Sequence, residues 1–454
     1  MTAQSCFKYY LNTFMMRNSL TIALILLAGS LAAQQSTSFR FDFGNGKTAK
    51  GYTQVTSDMI FNSERGFGFD YDTKPKSIIR KGNKVYSDFC TSNGAFYFSV
   101  VIPEGNYDVT VTLGDVKGNS CTTVKAESRR LFYQSVKTSD GEIVNRTFTV
   151  NVRIPKIDDN KSIRLKKREY GYLNWDNKLT IEFNDSLPCV CGVEITPNTT
   201  ATTIFLAGNS TVVDQDKEPW ASWGQMAPSF FVPKDVVIAN FAESGESLAS
   251  FKSARRLEKV MSIMKPGDYL FIEFAHNDQK RKGEGIGPWK SYTNLLKEFI
   301  TETRKKEGIP VLITSMHRRV FNDNGEVVNT LGDYPDAMRK VAEEMNVPLI
   351  DLNKMSKVMY EAWGPDESVR AFVHYQANTW PGQTEKLEDN THFNPYGAYE
   401  IAKCVLSGLK DLNLNISKYL VPDFKGFDPA HPDPVEDYHW DVSPMATNVK
   451  PDGN

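Results

Sequence analysis

The sequence predicts an α/β protein: an antiparallel β-sandwich followed by a parallel sheet covered by helices on both faces. Three observations lead there. The chain has 454 residues, too many for one ordinary core. Its first part carries many short runs of β-branched and aromatic residues and no long helical periodicity. After about residue 200, short uninterrupted apolar runs alternate with helix-patterned segments, the mark of a sheet buried on both sides.

Taken in order, residues 1–34 read as a signal peptide. Lys8 and Arg17 precede the apolar run Leu20 to Leu31, and small residues Ala32 and Ala33 follow before Gln34. The run is short for a membrane span, and an N-terminal anchor is the alternative. A start at Met15 or Met16 gives a more typical signal length. No later run is long enough to cross a bilayer, so the mature chain is expected to be secreted or periplasmic. Residues 37–197 form the expected sandwich, with strands in "GAFYFSVVI", "NYDVTVTLG", "RTFTVNVRI", "KLTIEF" and "CGVEI" separated by turn residues. The polar stretch "PNTTATT", Pro197 to Thr203, marks a boundary. Residues 202–420 form the second domain. Its strands fall in "TIFLAG", "DVVIANF", "DYLFIEFA", "IPVLITS" and "VPLIDLN", with helices over about Ser247–Met264, Trp289–Lys306 and Tyr334–Met345 and a last one after Pro395. The crossovers are expected to be right-handed. The tail, residues 421–454, is rich in Pro and Asp; it is given no fold and is expected to wrap the surface.

Composition excludes several classes. Apolar residues make up 40% and charged residues 24%, with a net charge of −2 and no long run of one sign. This argues against nucleic acid or acidic lipid as the main partner. Cys6 lies in the leader, which leaves Cys90, Cys121, Cys189, Cys191 and Cys404. An odd number cannot all pair within the chain, and Cys189-Val190-Cys191 fits no common zinc spacing. A Cys90–Cys121 disulfide and buried free thiols both stay open. "GNGKT" at Gly44–Thr48 imitates the end of a phosphate loop, but Phe41 stands where the earlier glycine belongs and no helix pattern follows.

In a parallel sheet, ligands bind beyond the carboxyl ends of the strands. Those ends hold Gly208-Asn209-Ser210, Ala242–Gly245, His276-Asn277-Asp278 and Ser315–Arg319. A serine becomes a nucleophile only when a base takes its proton and that base is held in one tautomer. His392 lies in "DNTHFNPYGAYEIA", three residues after Asp389, on a predicted loop leading into the helix begun by Pro395. Asp389 can reach one ring nitrogen and leave the other facing Ser210. Alone, a Ser after a strand is a helix cap and an Asp-x-x-His is local hydrogen bonding. Placed on one sheet edge, Ser210, Asp389 and His392 read as a catalytic triad. Acyl transfer also needs donors for an oxyanion: the Ser210 N–H, the Gly245 N–H and the Asn277 amide lie on three neighbouring strand ends.

These blocks resemble the SGNH (GDSL-like) hydrolase superfamily, whose four blocks carry Ser, Gly, Asn and His in this order. Gly208-Asn209-Ser210 matches the first, Gly245 the second, Asn277 the third, and Asp389 with His392 the last. "GNSTV", "WASWGQM", "NFAESGES", "HND" and "DNTHFNPYGA" further resemble the rhamnogalacturonan acetylesterases, which deacetylate pectic polysaccharide. The resemblance covers about residues 202–412 and implies a three-layer α/β/α, flavodoxin-like sheet, an acetyl-enzyme mechanism, an acetylated polysaccharide substrate, and no metal or cofactor. The β-rich half resembles a galactose-binding-like sandwich. Two positions depart from the pattern: Asn209 replaces the usual Asp, and Ala275 replaces the Gly that commonly precedes His-Asn-Asp. Trp220 and Trp223 are candidates to line a sugar groove, and His317, Arg318 and Arg319 to meet galacturonate carboxylates. Three rival readings remain. Ser247 in "GESLA" is an alternative nucleophile. His276, Asp278, Asp389 and His392 are metal-ligand types. The third rival is a sugar-binding protein with a degenerate hydrolase half. Acetylated xylan or other esters are alternative substrates, and the oligomeric state is open.

Overall fold

The computed structural model describes residues 38–81, 86–380 and 382–444. The expected signal peptide and Cys6 lie outside them. The first half is built from β1 (Phe39–Phe43), β2 (Thr53–Val55), β3 (Phe67–Asp70), β4 (Lys76–Ile79), β5 (Asp88–Thr91), β6 (Phe96–Val101), β7 (Gly105–Gly114), β8 (Ser120–Ala126), β9 (Arg130–Thr138), β10 (Ile143–Val152), β11 (Lys178–Leu187) and β12 (Cys189–Pro197). One sheet runs β10-β7-β12-β1-β2, with β5 joining β12 and β4; the other runs β3-β6-β11-β8-β9. All five expected runs are strands. In β7 the alternation is direct: Tyr107, Val109, Val111 and Leu113 enter a core with Phe148, Val150 and Val152 of β10. On the other face the Thr110 and Thr147 hydroxyls meet at 2.8 Å, and Thr149 donates to Asp108. The sheets are not wholly antiparallel, because β1 pairs with β2 in parallel.

The second half holds β13 (Thr202–Gly208), β14 (Val236–Asn240), β15 (Tyr269–Glu273), β16 (Ile309–Ile313) and β17 (Leu349–Ile350), all parallel, in the order β14-β13-β15-β16-β17. This is the flavodoxin-like order 2-1-3-4-5. Six longer helices cover it: α1 (Leu248–Ser253), α2 (Arg256–Ile263), α3 (Thr293–Lys305), α4 (Tyr334–Met345), α5 (Leu352–Glu367) and α6 (Pro395–Asp411). Neighbouring residues of β13 serve opposite layers. Ile204 and Leu206 pack with α5 and α6, Phe205 and Ala207 with α1 to α4. The stretch expected as one helix, Ser247–Met264, is two, broken where Arg255 turns left-handed at φ +65°. The run "VPLIDLN" yields only a two-residue strand; Asp351 then caps α5, accepting from the Lys354 N–H at 3.3 Å. A two-stranded sheet follows, β18 (Phe372–Tyr375) with β19 (Leu387–Phe393).

The described residues from Phe39 onward belong to one compact unit. Its described tail is seated by side chains. Lys403 pairs with Asp433, Arg370 with Glu436 at 2.5 Å, and Tyr438 packs on Tyr396 and Tyr399. Trp440 and Ser443 reach the sandwich: the Trp440 ring lies 4.0 Å from Lys125 Nζ, and Ser443 Oγ donates to Glu182 at 2.7 Å. Cys90, Cys121, Cys189, Cys191 and Cys404 are all free thiols, so Cys90 and Cys121 are not bridged. Among the described residues no helix is long and apolar enough to cross a membrane.

Candidate active site

The site begins where β13 stops. At Gly208 a Cβ would sit 2.4 Å from Val212 Cγ2, so the tight exit requires glycine. Asn209 then makes the turn. Its Oδ1 accepts from the Thr211 N–H at 3.0 Å and the Thr211 hydroxyl at 2.9 Å, and its carbonyl accepts from the Val212 and Val213 N–H groups. An Asn oxygen therefore does locally what an Asp would, capping a turn instead of a helix. Ser210 sits on this turn, and its carbonyl accepts from Gln215 Nε2 at 2.7 Å and Ser222 Oγ at 2.6 Å.

Ser210 Oγ lies 2.7 Å from His392 Nε2, and His392 Nδ1 lies 2.8 Å from Asp389 Oδ2. The three residues are buried. The segment read as a loop is strand β19, and its distortion produces the geometry. Phe372 pairs with Phe393 but Val373 pairs with Asp389, so residues 390–392 leave the ladder as a bulge. That bulge turns His392 back over Asp389. The other carboxylate oxygen, Oδ1, accepts from the Thr391 N–H at 2.9 Å and the His392 N–H at 3.0 Å. Burial alone would push the Asp389 carboxyl up. The hydrogen bond and charge of His392, with these two N–H donors, outweigh it and hold the group well below the usual carboxylate range.

Two further loops edge the site. Gly245 has φ +79°, a left-handed backbone that favours glycine. Asn277 donates from Nδ2 to the Glu246 carbonyl at 3.1 Å, tying its own loop to the Gly245 loop. Ala275 is buried. His276 is fully enclosed, its basicity depressed by burial and then by Arg318. Asp278 is also enclosed; burial raises its carboxyl to about 7 against the Leu248 N–H bond.

The residues proposed for sugar contact differ in where they lie: the tryptophans and His317 are enclosed, and the two arginines are half-buried beside the site. Trp220 and Trp223 are 0% and 1% exposed, so neither ring offers a face to a ligand. Trp223 packs in the core and donates to Glu273 at 3.4 Å. His317 is buried, which with Lys357 and Arg339 lowers its ring to about 4. Arg318 donates to Thr330 and the His276 carbonyl. Arg319 donates to Ser368 at 2.9 Å and Asn390 at 3.1 Å, bracing the β19 bulge. The two arginines thus tie together loops that border the site.

The rival nucleophile, Ser247, is a helix cap. It accepts from the Ser250 N–H at 3.2 Å and donates its own N–H to Ser250 Oγ at 2.8 Å. Among the described residues, the His, Cys, Asp and Glu side chains able to bring three ligand atoms within 4.8 Å of one another are Asp185, His439 and Asp441. The set His276, Asp278, Asp389 and His392 does not converge in that way.

Several participants had no sequence signal. Glu273, at the end of β15, accepts from Ser315 at 2.5 Å and Thr211 at 2.9 Å beneath the nucleophile turn; burial raises its carboxyl. Arg130 of β9 meets Asp214 at 2.7 Å. Arg129 donates to the carbonyls of Gln215 and Trp220. Arg168 and Lys166 hold Glu243, Ser244 and Glu246 around Gly245.

A sequence model of the GDSL-like Lipase/Acylhydrolase family matches residues 206–398. The chain is 44% identical over 220 residues to Rhamnogalacturonan acetylesterase RhgT of Bacillus subtilis (strain 168), covering 48% of this chain and 94% of that protein. The chain belongs to the GDSL-like lipase/acylhydrolase family. As a GDSL-like hydrolase it is an α/β enzyme that cleaves carboxylic esters, with acetylesterases among its relatives. A second relative, Probable rhamnogalacturonan acetylesterase YesY of the same organism, is 34% identical over 223 residues, 48% of this chain and 98% of its own. The GDSL-like hydrolase is preceded by a second match: residues 39–155 fit the Beta-agarase/YXIM esterase-like, galactose-binding domain-like family. The esterase YxiM of Bacillus subtilis (strain 168) aligns across both regions, at 25% identity over 393 residues, 84% of this chain and 93% of that protein.

Proposed function

We propose that this hydrolase removes O-acetyl groups from rhamnogalacturonan through an acetyl-enzyme formed on Ser210. The observation that carries the reading is the continuous hydrogen-bonded line from Asp389 through His392 to Ser210, at 2.8 and 2.7 Å. In it Ser210 Oγ attacks the acetyl carbonyl while His392 Nε2 takes its proton. Asp389 fixes the tautomer and favours the imidazolium. The N–H groups of Ser210 and Gly245 and the second amide hydrogen of Asn277 hold the oxyanion. His392 returns the proton to the departing sugar oxygen, and water hydrolyses the acetyl-enzyme by the same steps. No step calls on a metal or cofactor.

The substrate assignment draws on RhgT and YesY, whose names carry the rhamnogalacturonan activity. Residues 37–197 are read as a galactose-binding-like domain and 202–420 as the hydrolase domain. The leader reading, residues 1–34, sends the protein to the periplasm or outside the cell, where such a polymer is met. The test is acetate release from acetylated rhamnogalacturonan, acetylated xylan and p-nitrophenyl acetate, by the parent and Ser210→Ala. Release from rhamnogalacturonan by the parent alone is expected. Release confined to xylan overturns the substrate, and no release from any ester overturns the reading.

A further inference from the structure

The nucleophile turn does not stand by itself. Its Ser210 carbonyl is held by Gln215 and Ser222, both on the segment 214–222 that follows. The same segment reaches the base, since the Ala221 N–H donates to the Phe393 carbonyl at 2.9 Å, one residue beyond His392. Segment 214–222 thus sets where Ser210 and His392 stand relative to each other, and it contains no regular helix or strand to stiffen it.

What stiffens it comes from the sandwich. Between β8 and β9 the chain turns sharply through Glu127 and Arg129, at φ +57° and +61°. From this turn the Arg129 guanidinium enters the hydrolase half. One nitrogen, Nη1, donates to the Gln215 carbonyl at 3.0 Å and the Trp220 carbonyl at 2.9 Å; the other, Nη2, pairs with Glu218. Three points of one six-residue stretch, Gln215 to Trp220, are gripped by one planar cation, and Arg129 and Glu218 are 4% and 0% exposed. The tail completes the grip: Trp440 Nε1 donates to Glu218 Oε1 at 2.9 Å, and its ring lies 5.5 Å from the guanidinium. Gln225 seals the junction from the other side, donating to the Ser128 carbonyl at 2.9 Å and the Gln215 carbonyl at 3.0 Å.

We infer that Arg129 is a positioning residue for ester cleavage, acting through Gln215 and Trp220 on the Ser210–His392 pair. It lies outside residues 206–398, so membership of the hydrolase family assigns it nothing. The sandwich then serves the reaction by bracing the nucleophile segment, whatever else it binds. The inference rests on the Ser210 reading. A guanidinium is required because its fixed fork spans two carbonyls and a carboxylate at once; a lysine offers a point charge that satisfies the pair with Glu218 but not the fork. A small displacement of a reacting pair lowers turnover by up to about a hundredfold.

The test uses the full chain with Arg129→Ala, Arg129→Lys and Ser210→Ala. Hydrolysis of p-nitrophenyl acetate is measured per active site, counted from the fraction of chains labelled at completion by a fluorophosphonate. The melting temperature is recorded beside it. A brace needed only for stability lowers the melting temperature and the labelled fraction, yet leaves kcat per labelled site unchanged. A positioning role lowers kcat per labelled site by about tenfold to a hundredfold in Arg129→Ala and by less in Arg129→Lys, with KM moving less than about threefold. If Arg129→Ala does not fold, Arg129→Lys decides on the same readout. Turnover per site within about twofold of the parent in the folded variants overturns the inference. Activity retained by Ser210→Ala overturns the Ser210 reading instead, so the two failures are told apart.

Discussion

Replacing Asp389 by Asn tests how the base is prepared. The two backbone donors on Oδ1, Thr391 N–H at 2.9 Å and His392 N–H at 3.0 Å, fix which way the new amide points. Its oxygen must stay on those donors, so its NH2 faces His392 Nδ1, where the carboxylate now sits at 2.8 Å. A ring receiving a hydrogen there places its own proton on Nε2, towards Ser210, and cannot take the serine's proton. The charge is lost as well. Two unit charges about 4 Å apart attract by about 4 kcal/mol at an effective dielectric near 20, roughly a thousandfold in rate. With the wrong tautomer added, kcat/KM should fall by about 10³ to 10⁴. The assay is the initial rate on p-nitrophenyl acetate at neutral pH, normalised to folded protein. Because Asp389 is held ionised far below neutrality, the parent should not lose activity through this carboxylate in mildly acidic buffer. A variant within about tenfold of the parent would refute the orienting role.

Two further outcomes follow from the same contacts. Ser247→Ala removes a helix cap and should cost about 1 kcal/mol in urea unfolding while kcat is retained; loss of kcat with unchanged stability would restore Ser247 as a candidate nucleophile. Asp278→Asn tests a buried carboxyl raised to about 7. A raised folded value means the neutral acid's contribution is full below the unfolded pKa and is lost as pH rises through about 7. The variant keeps an oxygen for Leu248 and cannot ionise, so between pH 5 and pH 8 it should escape a loss of about 3 kcal/mol suffered by the parent. Equal pH dependence of urea midpoints in the two proteins would remove Asp278 from that account.

Much of the fold was legible because its signals are local. Five apolar runs ending in polar turns gave the parallel strands, and alternation in "NYDVTVTLG" gave β7 with its inward Tyr107, Val109, Val111 and Leu113. The meeting of Ser210 with His392 was expected from the order of the blocks; the expectation of one sheet edge holds for Ser210 at the end of β13, whereas His392 comes from β19 of a separate two-stranded sheet. The bulge that closes the Asp389–His392 contact was not, since it exists only in the pairing of β19 with β18. Trp220 and Trp223 were read for the stacking their rings could offer a sugar, which says nothing about exposure; both rings are enclosed, and Glu218, Ser222 and Gln225 beside them are buried and paired. Arg129 carried no sequence signal. Its partners lie 86 and 91 positions away, a separation at which no periodicity speaks.

The seat of Trp440 and Ser443 has a consequence for how the molecule is made. Glu218, which Arg129 grips, is finished by residues more than two hundred positions downstream. A ribosome adding about 5–20 residues per second therefore leaves an interval in which the serine's turn has emerged but its final wedge has not. During that interval Glu218 lacks the Trp440 and Ser443 contacts. A nick that removes the stretch from Tyr438 onward should leave Glu218 to Arg129 alone and lower ester turnover, which comparison of the nicked and full chains on p-nitrophenyl acetate checks.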